Sequence, residues 1–154
     1  MSATPVGNKA LVLRYFDCIA RADYAGIEGM LSDSVRFWLP PSVPDAAEYA
    51  TRADTIRLIR DSMEGLYDMS LGLAPEITTL LAEGERVAAE LVIRARSKAT
   101  GLPYSNHYHF LFVIRDARIA EIHEHLDTLY AYRMLFEPLG MTEAEQVGWR
   151  PDES

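Results

Sequence analysis

The sequence predicts an α+β domain in which about three N-terminal helices pack on a curved, mainly antiparallel sheet. Three observations predict it. Apolar residues recur three and four apart as far as Leu66, alternate from Met69 onward, and the alternating stretches are joined by connections of only a few residues. Helices first and strands after is the α+β order, and connections that short make neighbouring strands antiparallel.

Residues 7–22 carry Leu11, Tyr15, Cys18, Ile19 and Ala22, the stripe of an amphipathic helix. Asp23 is placed to cap a second, short helix bearing Ile27, Met30 and Leu31. Ser34 to Leu39 reads as a strand stopped by Pro40-Pro41, and Pro40 to Ala47 as a loop able to rim a pocket. Thr51 or Asp54 caps a third helix, with Ile56, Ile59, Met63 and Leu66 as its apolar face. Four strands then follow at about 69–82, 86–99, 103–115 and 118–128. A short helix over 129–137 ends before Pro138, and an acidic tail from 141 to 154 is expected to be loosely held. One domain spans 1–154, with its core in about 7–136.

A chain of 154 residues with 49% hydrophobic content is long enough for one sizeable core. Its net charge of −8 excludes a nucleic-acid surface, which needs clustered Lys and Arg. No apolar run approaches the ~20 residues that span a bilayer, and Met1 to Pro5 lacks the pattern of a signal peptide. The single cysteine, Cys18, lies in a helical stripe and reads as a buried structural thiol. A cytoplasmic protein with no membrane partner is the expectation.

The chemistry concentrates in two His-x-His pairs, His107/His109 and His123/His125, with Asp127 two residues further on. Alternate strand residues share a face, so each pair sets two imidazoles side by side. The Asp116-Ala117 turn decides whether the pairs share one face. A two-residue loop would pair Arg115 with Arg118 and require positive φ at both turn residues, which alanine resists. A three-residue loop pairs Ile114 with Arg118, hence His109 with His123 and His107 with His125. That register is expected, and it gathers Ser105, His107, His109, His123, His125 and Asp127 on one face. The other face then holds Asn106, Tyr108, Phe110, Phe112, Ile114, Ile122 and Leu126. Two readings stay open: the histidine face lines a pocket, or it lies outside as a dimer seam. Asp127 likewise reads either as a base in an apolar site or as the cap of the helix beginning at Thr128. A metal site would need several imidazoles converging on one ion; no other metal motif accompanies them, so no metal and no cofactor is expected.

The order of elements resembles the SnoaL-like, NTF2-like superfamily of cone-shaped domains, which includes ketosteroid isomerases, polyketide cyclases and limonene-epoxide hydrolases. The resemblance rests on Asp23-Tyr24-Ala25-Gly26-Ile27 with Leu31-Ser32-Asp33-Ser34-Val35, and on Tyr104 to Arg115 followed by Arg118-Ile119-Ala120-Glu121 and Glu124-His125-Leu126-Asp127-Thr128. It implies the cone fold and a homodimer formed through the sheet. It also implies a pocket for Asp127, which matches an aspartate of the epoxide hydrolases, and so favours the inward reading of the histidines. The isomerase pattern lacks its acid in Val35 to Pro40. The hydrolase pattern keeps Arg86 but has Ala88 in place of an aspartate.

The functional expectation is a cofactor-independent isomerase, cyclase or dehydratase acting on a small hydrophobic ring or ketone. Asp127 would be the base, with His109 and His125 as proton partners. Tyr15, Trp38, Met63, Tyr67, His107 and Leu111 would contact substrate. The alternative is a non-catalytic protein of the same fold that binds a small ligand or serves as a dimeric interaction module.

Overall fold

The computed structural model describes residues 4–44, 46 and 48–141. The expected acidic tail lies outside them, apart from Met141. Helix α1, Pro5–Ala20, starts with Thr4 accepting from the Gly7 amide and with Pro at its first turn, where a missing N–H costs nothing. Val12, Tyr15, Phe16, Cys18 and Ile19 form its buried face. Asp23 caps α2, Tyr24–Met30, by accepting from the Gly26 amide. Its second oxygen lies 3.7 Å from the Cys18 thiol, which is buried as expected. Thr51 caps α3, Arg52–Leu66, whose Ile56, Ile59 and Met63 are buried. No described helix is long and apolar enough to cross a membrane.

The strands are β1 (Leu31–Trp38), β2 (Ala74–Glu83), β3 (Arg86–Arg96), β4 (Pro103–Arg115) and β5 (Arg118–Leu126), in sheet order β1-β5-β4-β3-β2. β1 runs parallel to β5, and the other neighbours are antiparallel. Three strand boundaries differ from the sequence expectation by three residues or more. β1 begins at Leu31. Met69–Leu71 is a short 3₁₀ turn capped by Asp68, so β2 starts later than 69. β3 ends at Arg96 because Ser97 turns toward Tyr67 and the Leu102 carbonyl. The last helix is broken: α4 covers only Thr128–Ala131, followed by a wider π turn over Tyr132–Phe136.

The β4–β5 turn also departs from expectation. It is a two-residue loop pairing Arg115 with Arg118, with φ of 51° at Asp116 and 57° at Ala117. The left-handed conformation that alanine resists is therefore present, at a cost of roughly 1–2 kcal/mol. Past the turn, Ile114 pairs with Ile119 but Val113 pairs with Glu121, so Ala120 is an extra residue in β5. Loop and bulge together pair His109 with His125 rather than with His123. Two departures cancel in parity, and all four histidines still share a face.

That face is the outer one. Burial alternates strictly along β4 from Pro103 to Phe110, with His107 and His109 exposed and Tyr108 and Phe110 buried. The helices cover the opposite face, where Phe112, Ile114, Ile119 and Ile122 are fully buried. Magnitudes explain the choice. Each large apolar side chain moved out of water contributes roughly 1.5–3 kcal/mol, whereas burying unpaired imidazoles costs energy. The apolar face therefore takes the core, and the reading in which the histidines line the cone is corrected.

Candidate functional site

Between α1, α3, the C-terminal turns and the inner sheet face lies a cavity of about 120 Å3. Its walls are apolar, including Phe16, Phe37, Ile59, Ile93, Phe110 and Leu135. Leu39 and Val43 bring the loop after β1 to its rim, as that loop's prolines suggested. Leu39, Val43, Leu58, Ser62, Leu66 and Phe136 also border a wider surface groove with Arg57 and Asp61 on its bank, so the cavity meets solvent there.

One carboxyl enters this space. Glu124 stands opposite Phe110 on β5, between the inward Ile122 and Leu126, and it lines the cavity. Burial alone pushes its carboxyl from an ordinary 4.5 up to about 7, with no cation or hydrogen bond among the described residues holding it down. The sequence carried the signal: Glu124 is the lone acid at an apolar-face position of a period-two strand. The adjacent histidines drew the weight instead.

Tyr15, Tyr67 and Tyr108 also line the cavity, and Tyr104 lies behind Tyr108. Tyr67 follows α3, Tyr104 and Tyr108 lie on β4, and Tyr15 comes from α1. The Tyr67 and Tyr108 hydroxyl oxygens are 3.3 Å apart, and those of Tyr108 and Tyr104 are 2.8 Å apart. Asn106 Nδ2 donates to the Tyr104 hydroxyl at 2.8 Å and to the Asp127 carbonyl at 3.1 Å. Burial raises all four phenols above their ordinary range, Tyr104 least, up to about 12. The charge of Glu124 adds to the rise at each.

Of the residues expected at the site, Tyr15, Met63 and Tyr67 line the cavity. The others do not. Trp38 lies over the outer histidines, 4.8 Å from the His125 ring and 6.2 Å from that of His123. His107, His109 and His125 border a shallow outer depression with Glu90 and Thr78. Leu111 sits opposite His123 on the same outer side. The His109 and His125 rings are 6.3 Å apart. Partial burial, then the neighbouring His109 and His123, lower the pKa of His125. His123 Nε2 is 3.2 Å from Glu121, whose carboxyl is held below its ordinary range chiefly by that contact and also by Arg115. No set of three or more His, Cys, Asp or Glu side chains among the described residues is placed to hold a metal ion. Asp127 is exposed and caps α4, accepting from the Tyr130 amide at 3.0 Å. Its carboxylate is committed to the helix start, outside the cavity.

Comparisons with known proteins agree with this architecture. Residues 12–122 match the SnoaL-like domain family. A search among curated proteins found no match. Among solved structures, an NTF2-like protein from Burkholderia xenovorans LB400 superposes with a TM-score of 0.72 at 20% identity, covering 86% of this chain and 98% of that one. A SnoaL-like polyketide cyclase, so described, from Jannaschia sp. CCS1 gives 0.74 at 16% identity, covering 88% and 95%. An epoxide hydrolase of the limonene type from M. tuberculosis gives 0.66 at 15% identity, covering 88% and 94%. At these identities the likeness is one of fold.

Proposed function

This chain belongs to the SnoaL-like family, and from that premise we propose that its cavity moves a proton on a small, largely apolar ketone or enol. Glu124 is the acid–base group. A carboxyl titrating at about 7 takes and returns a proton near neutrality with little energetic mismatch. In the proposed step the carboxylate removes a proton from the carbon beside a carbonyl. The electron pair moves onto the carbonyl oxygen, where the cavity hydroxyls donate to it. The carboxylic acid then returns the proton to another carbon, or assists departure of a hydroxyl as water. Isomerisation, ring closure and dehydration share that first half. A cavity of about 120 Å3 suits a single ring. Longer molecules would extend into the groove beside Arg57 and Asp61.

The observation that carries the proposal is a carboxyl in an apolar chamber that is lone and unpaired among the described residues. Cyclohexanone in D2O tests it, with deuterium entry at its α-carbons followed by NMR. Protein-dependent exchange should rise with pH through about 7, and Glu124→Gln should slow it by roughly 10²–10⁴-fold. An unchanged rate in that variant would remove Glu124 from the chemistry. Binding without any exchange would leave a ligand-binding protein.

In the same reading the outer sheet face meets a second copy of the chain. Its middle carries the histidines and Glu90, with Trp38 and Leu111 half-buried among them and Leu81 64% exposed beside them. Charges flank that middle on both sides, among them Arg36, Glu121, Glu76 and Arg94. Sedimentation velocity should show a dimer that Leu81→Lys weakens. A wild-type monomer at tens of micromolar would exclude this contact.

A further inference from the structure

The hydrogen-bonded chain behind the cavity has a direction, and one buried amide sets it. Asn106 is 2% exposed and sits on β4 between Tyr104 and Tyr108. Its Nδ2 faces two oxygens, the Asp127 carbonyl and the Tyr104 hydroxyl. A backbone carbonyl can only accept, so the atom turned toward it must be the NH2 group and not the amide oxygen. The same NH2 then donates to Tyr104, whose oxygen is thereby an acceptor. The Tyr104 proton is free to point onward, and the Tyr108 oxygen 2.8 Å away is the acceptor in reach. Tyr108 in turn gives its proton to Tyr67 at 3.3 Å. In this arrangement the protons of Tyr104 and of Tyr108, which itself lines the cavity, are both used. One is left over, on Tyr67, which lines the cavity.

We infer that Asn106 orients the Tyr104–Tyr108–Tyr67 chain so that Tyr67 presents its proton to the cavity, which selects ligands bearing a carbonyl or enolate oxygen at that point. Asn106 touches no ligand; it is a positioning residue acting through two phenols. Successive bonds polarise one another in the same sense, so the terminal hydroxyl is a stronger donor than an isolated phenol. The inference deepens the proton-transfer reading and rests on it for the ligand class, since an oxygen held by Tyr67 is where charge would develop. The backbone reinforces the arrangement. Asp127, whose carbonyl fixes the amide, is itself held as the cap of α4, and Tyr130 of α4 stacks on Tyr104 at 5.3 Å.

The test is the 13C chemical shift of carbonyl-labelled cyclohexanone bound to the intact protein, which moves downfield when the oxygen accepts a hydrogen bond. The wild type should displace the resonance downfield from its value in an apolar solvent, and Tyr67→Phe should abolish the displacement. Asn106→Asp replaces the donor with an acceptor. It would draw the Tyr104 proton toward itself, turn each hydroxyl round, and remove at least half of the displacement. Tyr104→Phe deletes only the oxygen through which Asn106 acts and should do the same, which keeps the test decisive if Asn106→Asp fails to fold. Glu124→Gln should keep the displacement while losing deuterium exchange, so the two readings fail separately. A wild-type displacement retained in Tyr104→Phe or in folded Asn106→Asp overturns the inference. So does the lack of any displacement in the wild type.

Discussion

Replacing Glu124 with glutamine is expected to make the protein more stable above neutral pH, by roughly 3 kcal/mol at pH 8, and to leave it nearly unchanged at pH 4. The carboxyl titrates at about 7 in the folded chain against an ordinary 4.5. Below both values the two states carry the proton alike. Between them the unfolded chain has released its proton while the folded chain retains it, so stability falls as pH rises through that window. Above about 7 the ionised group, half-buried in the cavity wall, has no cation or hydrogen-bond partner among the described residues, and the penalty levels off at about 1.4 kcal/mol per unit of difference. Urea denaturation of wild type and Glu124→Gln across pH 4–8 measures it. Curves that stay parallel would mean that water in the cavity solvates the charge and that its titration is ordinary. His125 acts with the opposite sign: its pKa is lowered, so stability is lost as pH falls below the ordinary histidine value of 6.5 toward the lowered folded one. The variant comparison separates the two, because His125 is common to both curves. A destabilising acid retained in an apolar cavity is the pattern of a group kept for function.

Phe16→Ala should cost about 3–5 kcal/mol and enlarge the cavity at the same time. Phe16 is 3% exposed. It meets the rings of Tyr15, Phe110 and Phe112 edge-on at 5.3, 5.2 and 5.7 Å, contacts worth more than their buried area alone. Its removal takes away two of the ring contacts between α1 and β4 and leaves that of Tyr15 with Phe112. Against a total stability of about 5–15 kcal/mol, the loss is large but survivable. The variant should also bind two-ring apolar ligands that the wild type excludes. A loss below about 1 kcal/mol would show that α1 collapses into the gap, and in that case no larger ligand should enter.

The fold was largely legible in the sequence because its signals are local. Asp23 and Thr51 cap the helices they were expected to cap, and the alternation along β4 is present residue for residue from Pro103 to Phe110. Tyr15 and Met63 belong to helical stripes that had to face the core, Tyr67 directly follows the second of them, and all three line the cavity. The side of the sheet taken by the helices was harder to read. Parity says which residues travel together and not which set goes inside; that depends on summed burial of Tyr108, Phe110, Phe112 and Ile122 against four imidazoles. Weight given to Asp127 by resemblance pulled the choice the wrong way. Glu124 shares the parity of Ile122 and Leu126 and so was legible as an acid on the apolar face, but the imidazoles on either side of it are the stronger local signal.

That bulge at Ala120 amounts to a parity lever. With the tight Arg115–Arg118 turn and no extra residue, β5 would present its side chains the other way up: His123 and His125 would look into the chamber, and Glu124 would look out. A chain in this lineage could thus exchange an acidic interior for an imidazole one by losing a single codon, with every side chain of the strand unaltered. Relatives aligned by residue type alone would be read as sharing a site when their strands are half a pleat apart.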